Sequence, residues 1–305
     1  MNNGFLKHLV PHNGTRYLFF GGKGGVGKTS MATATAVWFA DNGYKTTIVS
    51  TDPTVSLSAM FRQEIGGEVR VPISHVSNLC GLNINPADAK GVFTKRLNNT
   101  MSKMSATMGE DAVSTPCMEE MATFDQFVSF LENPECDLIV FDTAPTGKTL
   151  RELAMPFDWA GFLQKQIQEG SKWAELFPGD ENSFEEIERD KKRYDDAMGV
   201  MCSAESTAFS LVLLPERLPI EETQSAISGL KKLGISVQGL IVNQCILPEV
   251  IEGNRFLQAR ADVQTKYMHE ISERFIGITR LQMPLFDHDV SDLNSLRKVG
   301  QLLYN

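Results

Sequence analysis

A glycine-rich loop with two lysines is the stretch of this sequence whose residue types and spacing most directly imply chemistry. Residues 22–29 read GKGGVGKT, which satisfies the phosphate-loop pattern G-x-x-x-x-G-K-[ST]. The loop follows the apolar run RYLFFGG and precedes the helical pattern SMATATAVWFA, which is the strand–loop–helix context that this pattern requires. Glycines let backbone N–H groups converge on phosphate oxygens, and the helix dipole favours an anion at that end.

We therefore predict that this loop binds the phosphates of a nucleotide. Lys28 is expected to bridge the β- and γ-phosphates, and the Thr29 hydroxyl to bind Mg²⁺. Phosphate binding by such a loop requires only the second lysine, so Lys23 needs a separate explanation. The predicted contacts are Gly22, Lys23, Gly24, Gly25, Val26, Gly27, Lys28, Thr29 and Ser30.

Two aspartates at the ends of other apolar runs could complete a hydrolytic site. Asp52 follows TTIVST, and Asp142 follows DLIVF. Nucleotide hydrolysis needs one acid near Mg²⁺ and one near the attacking water, although either aspartate could instead only cap the next helix. Gly147, in DTAPTG, could donate its N–H to the γ-phosphate and so respond to hydrolysis.

Short β-rich runs alternate with longer helical patterns along the chain. Several of these runs are almost continuously apolar, which is typical of strands covered on both faces of a mainly parallel sheet. We therefore predict an α/β fold with a doubly wound sheet, whose ligands bind outside the carboxyl ends of the strands. The strand candidates are RYLFFGG, KTTIVSTD, GLNINP, DLIVFDTAP, FSLVLLPE, SVQGLIVNQ and ITRLQMPLF.

Two long stretches interrupt this alternation. Residues at about 87–135 and 150–206 have helical patterns, and we expect them to pack together as an inserted helical subdomain. The whole chain, residues 1–305, is otherwise predicted to form a single nucleotide-binding domain.

Composition excludes several other classes of protein. The net charge of −9 argues against a surface that coats nucleic acid. There is no apolar run of about 18 residues, so no membrane span is expected, and the start does not resemble a signal peptide. The five cysteines are dispersed, which argues against a disulfide framework or a zinc knuckle. We expect a cytoplasmic protein.

Taken in order, the motifs resemble the arsenical-pump and tail-anchored-protein-targeting branch of the deviant phosphate-loop ATPases. KGGVGKTS resembles the family's loop with its extra lysine, and STDPTVSLSAMF and DTAPTGKTLREL resemble its two switch segments. PERLPIEET, VNQ and MPLFDHDVSDLNSL resemble its later nucleotide-contacting motifs. The resemblance implies ATP and Mg²⁺ as cofactors. It also implies a nucleotide-bridged homodimer, because the pump ATPases are often two tandem halves and this chain has one.

The resemblance also implies roles for individual residues. Lys23 would reach the phosphates of the partner subunit, as an arginine finger does, and Asp52 would position the attacking water. Asp142 would lie in the Mg²⁺ shell. The nucleotide's base and sugar would be contacted by Asn243 at the adenine edge, Pro284, Leu285 and Phe286 over the ring, and Glu222 near the ribose and the partner's loop. Ordinary alternatives are a strand-end cap for Asn243 and core packing for Phe286.

Two positions depart from the family's pattern near the γ-phosphate. Val55 and Lys148 stand where the two switch segments usually carry histidine. These changes affect the expected rate of hydrolysis and the coupling of the switches more than they affect nucleotide binding.

Two further segments bear on which branch of the family the chain resembles. NRFLQARADVQTKYMHEI matches the element with which the targeting ATPases bind a shared zinc ion, but Asn254 and Leu257 occupy its cysteine positions. An amide and an alkyl group cannot replace thiolates in such a site. CMEEMATFDQF resembles a metalloid-binding segment of the pump ATPases, so Cys117 is a candidate ligand for arsenite or antimonite, with Cys202 as a weaker second candidate. The alternative for Cys117 is a small buried hydrophobe.

We therefore predict an ATPase that binds arsenite or antimonite at Cys117 and energises a membrane efflux permease, at the inner face of the membrane without spanning it. The alternatives are a chaperone-like targeting ATPase for tail-anchored membrane proteins, or a weakly hydrolysing, nucleotide-dependent scaffold. No nucleic-acid partner is expected.

Overall fold

A computed structural model of the chain describes residues 3–51, 57–67, 69–84, 118–132, 134–143, 147, 150, 153–154 and 181–305. Its eight strands are β1 (Arg16–Gly22), β2 (Thr46–Ser50), β3 (Val71–Pro72), β4 (Leu79–Asn83), β5 (Leu138–Asp142), β6 (Thr207–Leu213), β7 (Val237–Cys245) and β8 (Thr279–Pro284). The described helices are α1 (Asn3–Leu6), α2 (Lys28–Asp41), α3 (Leu57–Phe61), α4 (Met118–Glu132), α5 (Glu181–Cys202), α6 (Arg217–Lys232), α7 (Arg255–Arg274) and α8 (Leu293–Tyr304). A 3₁₀ turn spans Pro248–Val250.

The strands form one sheet in the order β3-β4-β2-β5-β1-β6-β7-β8. Every neighbouring pair is parallel except β3 and β4, which are antiparallel. The predicted mainly parallel α/β sheet is therefore confirmed. Each of the seven strand candidates overlaps a strand. The two-residue β3 was missed because so short a segment has no detectable hydrophobic period.

Buried apolar side chains cover both faces of the central strands, which explains their nearly continuous apolar sequence. On β1, Leu18 and Phe20 belong to the core cluster that includes side chains of α2 and α8. Phe19 points the other way and stacks between Phe141 and Phe209, with ring centroids 4.5 Å away on each side. This alternation within one strand follows from the two-residue period of β structure.

The chain divides into two compact units, Met1–Asn83 with Glu135–Thr149 and Cys202–Asn305, and Ile84–Pro134 with Leu150–Met201. The first contains the sheet. In the second, α4 and α5 are joined by Arg193, which forms ion pairs with Asp125 and with Glu132, the latter at 2.5 Å. The hydroxyl of Tyr194 donates to Asp125 at 2.9 Å. Because much of both inserts lies outside the described residues, the helical subdomain stays a prediction.

Within the part of the chain that the structure describes, no helix is long and apolar enough to cross a membrane.

Candidate functional site

The glycine loop lies between the end of β1 and the start of α2, as its sequence pattern predicts. It packs closely against β6, which pairs with β1, and against β7, the next strand along the sheet. A Cβ on Gly22 would lie 2.3 Å from the backbone oxygen of Val212, on β6, and a Cβ on Gly27 would lie 2.4 Å from Nδ2 of Asn243, on β7. Gly27 also has φ +97°, a conformation that side-chain-bearing residues rarely adopt. Glycine is therefore required at both places by the packing of the loop.

Replacing Gly27 with alanine is expected to lower the free energy of unfolding by about 1–3 kcal/mol, because the new side chain strains the backbone and displaces Asn243. ATP turnover should be lost with it. Gly24→Ala is the matched control for stability, since no heavy atom lies within 4 Å of that Cβ position. Thermal unfolding without nucleotide measures both variants. Equal midpoints for Gly27→Ala and wild type would contradict the packing of the loop on Asn243.

The inner lysine of the loop is buried. Lys28 is 4% exposed, and its Nζ donates to the backbone oxygen of Lys23 at 3.3 Å, so its ammonium group is folded back over the loop. Gly24 and Gly25, in contrast, are exposed, and no heavy atom lies within 4 Å of their Cβ positions. The loop therefore offers open space beside a fixed positive charge.

Backbone donors complete this cradle. Helix α2 begins at Lys28, so the N–H groups of its first turn have no partner within the helix until that of Met31, which donates to the oxygen of Gly27 at 3.1 Å. The N–H groups at a helix start, together with the positive end of the helix dipole, bind phosphate oxygens. An ammonium, glycine N–H groups and a helix start are the donors that a triphosphate needs, so these residues fit the phosphates of ATP.

A buried acid lies at the carboxyl ends of the neighbouring strands. Asp142 ends β5 and is 0% exposed. The hydroxyl of Ser50, at the end of β2, donates to its Oδ2 at 3.4 Å, and the N–H of Thr51 donates to its backbone oxygen at 3.0 Å. A carboxylate is costly to bury unless hydrogen bonds or a cation stabilise it. Asp142 and the hydroxyl of Thr29 are the hard oxygen donors that Mg²⁺ prefers, so the donor set fits this ion.

The outer lysine has different surroundings. The side chain of Lys23 is 38% exposed, and its Nζ lies 2.8 Å from Oε1 of Glu222, which is itself 44% exposed. Glu222 belongs to α6. The two lysines of one loop therefore differ in environment: Lys28 is enclosed by the loop, whereas Lys23 extends to the neighbouring helix.

Asn243 lies directly beneath the loop. It is 6% exposed, and its Nδ2 donates to the backbone oxygen of Val26 at 2.9 Å. The structure thus joins this residue to the phosphate loop across 217 positions of sequence. Reading of the adenine edge stays a prediction, and it would use the amide oxygen or the second amide hydrogen, since one hydrogen is already donated to Val26.

The segment predicted to close over the base follows β8. Leu285 donates its N–H to the backbone oxygen of Cys245 at 2.9 Å, and its side chain is 50% exposed. The Phe286 ring packs partly against the core, and Nζ of Lys298 lies 5.9 Å from its centroid. Pro284 ends the strand, so these three residues lie at the same sheet edge as Asn243.

Several predicted site residues are not located. Asp52 and Cys117 lie outside the described residues, as do Val55 and Lys148. Gly147 is described and exposed, with nothing within 4 Å of its Cβ position. Among the residues that are described, no group of three or more His, Cys, Asp and Glu side chains could hold a metal ion.

A family model described as "Anion-transporting ATPase" matches residues 15–305. The chain belongs to the anion-transporting ATPase family. Its predicted family and its predicted enzyme class are both confirmed: the chain is an ATPase, with ATP as its nucleotide.

Relatives of this chain have two kinds of name. A Halobacterium salinarum protein named as a candidate arsenical pump-driving ATPase is 37% identical over 308 residues, covering 98% of this chain and 46% of that protein. "ATPase ASNA1 homolog 2" of Paramecium tetraurelia is 31% identical over 315 residues, covering 98% and 96%. "ATPase GET3C" of Arabidopsis thaliana is 32% identical over 332 residues, covering 98% and 85%. The chain thus spans about half the length of the first relative and most of the other two.

Sequence reasoning missed two contacts of this ATPase, the ion pair between Lys23 and Glu222 and the hydrogen bond between Asn243 and Val26. All four residues were singled out individually. No local signal pairs them, because each contact joins residues that only the order of the strands brings together.

Proposed function

We propose that this ATPase works as a nucleotide-bridged homodimer in which Lys23 of each subunit serves the phosphates bound by the other. The observation that carries this proposal is the difference between the two lysines. Lys28 is buried against its own loop, whereas Lys23 is half-exposed and directed away from it. A half-exposed ammonium at the open edge of a phosphate site can reach a ligand held by a second subunit.

Each active site would combine residues that have separate roles in hydrolysis. The loop N–H groups and Lys28 would bind and orient the phosphates, and Lys23 of the partner subunit would stabilise charge that develops on the transferred phosphoryl group. Thr29 and Asp142 would hold Mg²⁺, which when bound neutralises phosphate charge. Asp52 is proposed to position the attacking water.

We further propose that arsenite or antimonite binds at Cys117 and that the ATPase energises a membrane efflux permease. The name of the Halobacterium relative and the resemblance of CMEEMATFDQF support this assignment. Metalloids bind thiolates, so a ligand cysteine must deprotonate. Burial raises the pKa of Cys202 and of Cys136, and raises that of Cys245 to about 11, so these three thiols are poorly suited to the role.

The metalloid proposal predicts stimulation of ATP hydrolysis that depends on one cysteine. Antimonite should raise the turnover of the wild-type protein by at least about fivefold, because a ligand that favours the closed dimer shifts its population. Cys117→Ala should remove this stimulation and retain basal turnover. Cys202→Ala is the matched control, since that thiol is already hydrogen-bonded to the backbone oxygen of Leu233 at 3.3 Å, and it should be stimulated normally.

Other outcomes of the same assay would support the alternatives. Equal stimulation of Cys117→Ala and wild type would remove Cys117 as a ligand. Absence of stimulation together with capture of an apolar helical peptide would favour the targeting ATPase, a function compatible with the ASNA1 and GET3 names of other relatives. Absence of turnover in every condition would favour a nucleotide-dependent scaffold.

A shared zinc ion, such as the resemblance to the targeting ATPases would suggest, is not part of this proposal. Asn254 caps α7, and its side-chain oxygen accepts hydrogen bonds from the N–H groups of Phe256 and Leu257, both at 3.1 Å. The two positions at which thiolates would be needed therefore carry a helix cap and an alkyl side chain. Dimerisation of this chain is expected to be insensitive to zinc chelators.

A further inference from the structure

We infer that Glu222 is a positioning residue for Lys23, holding its ammonium within its own subunit until nucleotide bound by a second copy competes for it. This inference rests on the proposed role of Lys23 across the dimer interface, and it adds the regulation of that site. It also assigns Glu222 a function different from the ribose contact that the family resemblance implies.

The backbone position of Glu222 is fixed because α6 packs against the sheet. The buried side chains of this helix include Pro219, Ile220, Thr223 and Ala226. The adjacent Glu221 lies outside the pair and forms its own ion pair with Arg274 at 2.9 Å. The position of Glu222 is therefore set by the packing of its helix, and only its side chain needs to reach Lys23.

Both the backbone oxygen and the side-chain ammonium of Lys23 have partners within the subunit. Its backbone oxygen accepts a hydrogen bond from Nζ of Lys28, and its own Nζ contacts Glu222. The loop is thus connected through Lys23 to α6. In this arrangement the outer lysine is bound within its subunit and is not presented to a partner.

The charges of the two competing ligands determine which of them Lys23 prefers. Glu222 offers one carboxylate in a half-exposed pair, and such pairs are weak because water competes and salt screens them. A triphosphate carries several negative charges, and an enclosed interface screens them less. Nucleotide held by a second copy should therefore displace Glu222, whereas an empty second copy should not. The ion pair would make assembly depend on ATP.

Because the exposed pair is weak, its removal should have a modest and specific effect. Glu222→Gln is expected to lower the protein concentration at which ATP-dependent dimers form by about two- to fivefold, the range typical of such pairs. Glu221→Gln is the matched control, since it removes a neighbouring carboxylate that pairs with Arg274, and its midpoint should equal that of wild type. Glu222→Asp keeps the charge, so its dimerisation midpoint should lie between that of Glu222→Gln and that of wild type.

The experiment measures dimer formation by sedimentation with a non-hydrolysable ATP analogue, and ATPase activity per subunit as the protein is diluted. The effect must require Lys23, so Glu222→Gln should change nothing in a Lys23→Ala background. Such non-additive effects of the two substitutions would show that Glu222 acts through Lys23. A general effect of the lost negative charge would persist without Lys23.

Two outcomes would overturn the inference. One is an unchanged dimerisation midpoint in Glu222→Gln. The other is a raised KM for ATP with a weaker dimer, which would place Glu222 in nucleotide binding. Either result leaves the proposed function intact provided that Lys23→Ala still loses turnover. Full turnover of Lys23→Ala would instead overturn the proposed function itself.

Discussion

Lys28→Ala is expected to lose ATP binding and turnover together. The ammonium of Lys28 is the buried positive charge of the phosphate loop, and without it the phosphates would meet only backbone dipoles. Removal of one well-placed donor from a charge-stabilising site commonly costs at least about a hundredfold in rate. We therefore expect a decrease in kcat/KM of this size or larger.

Binding can be measured separately from turnover. ATP at about 100 times its Kd should stabilise the wild-type fold by about 2.7 kcal/mol, which raises the thermal unfolding midpoint. Lys28→Ala should show no such rise. Lys231→Ala, an exposed lysine in the last turn of α6, should respond to ATP as wild type does. A normal ATP-induced shift in Lys28→Ala would contradict the assignment of the loop as the phosphate site.

Lys23→Ala is expected to retain the ATP-induced rise in unfolding midpoint and to lose turnover. The side chain of Lys23 points to Glu222 and away from its own loop, so binding should persist. A charge that completes a phosphoryl-transfer site from across an interface contributes about 10³–10⁵-fold in rate. Asp52→Asn is also expected to be inactive, because the residue proposed to position the water is lost.

Mixing the two inactive proteins tests whether Lys23 acts across the interface. A mixed dimer would have one complete site, formed by Asp52 of the Lys23→Ala subunit and Lys23 of the Asp52→Asn subunit. Random exchange should then restore about a quarter of wild-type activity, since about half of the dimers are mixed and each has one site of two.

A second mixture controls for the requirement of two working sites. An equal mixture of wild type and the double variant Lys23→Ala/Asp52→Asn should have, per total subunit, about a quarter of the activity of wild type if Lys23 acts across the interface. It should have about a half if Lys23 acts within its own subunit. No recovery in the first mixture together with one-half activity in the second would be evidence for action within one subunit.

The described part of the candidate site was predictable where its determinants are local. The loop conformation depends on consecutive glycines and on the helix that follows, so eight residues of pattern predict both the turn and the position of Lys28. The strands of the sheet were recognisable because burial on both faces requires continuous apolar runs. The two-residue β3 was not, since it owes its existence to the open edge of β4.

Contacts between distant segments could not be predicted from local sequence patterns. Asn243 was singled out as a strand-end residue, yet its hydrogen bond to Val26 exists because β6 separates β1 from β7 and brings both strand ends to one edge. The glycine at position 27 illustrates the same limit. Its presence follows from the motif, but the close approach of Asn243 is visible only after folding.

By itself, the sequence determined the phosphate loop, the α/β architecture and the family, because each depends on short-range patterns. Such patterns can be recognised without knowing which strands pair. Only the tertiary structure decided that Lys28 is enclosed while Lys23 is bound to Glu222. Those two side chains belong to one loop and are chemically identical. Their difference comes from what the strand order places beside them, since burial and charge pairing are properties of neighbours in space rather than in sequence.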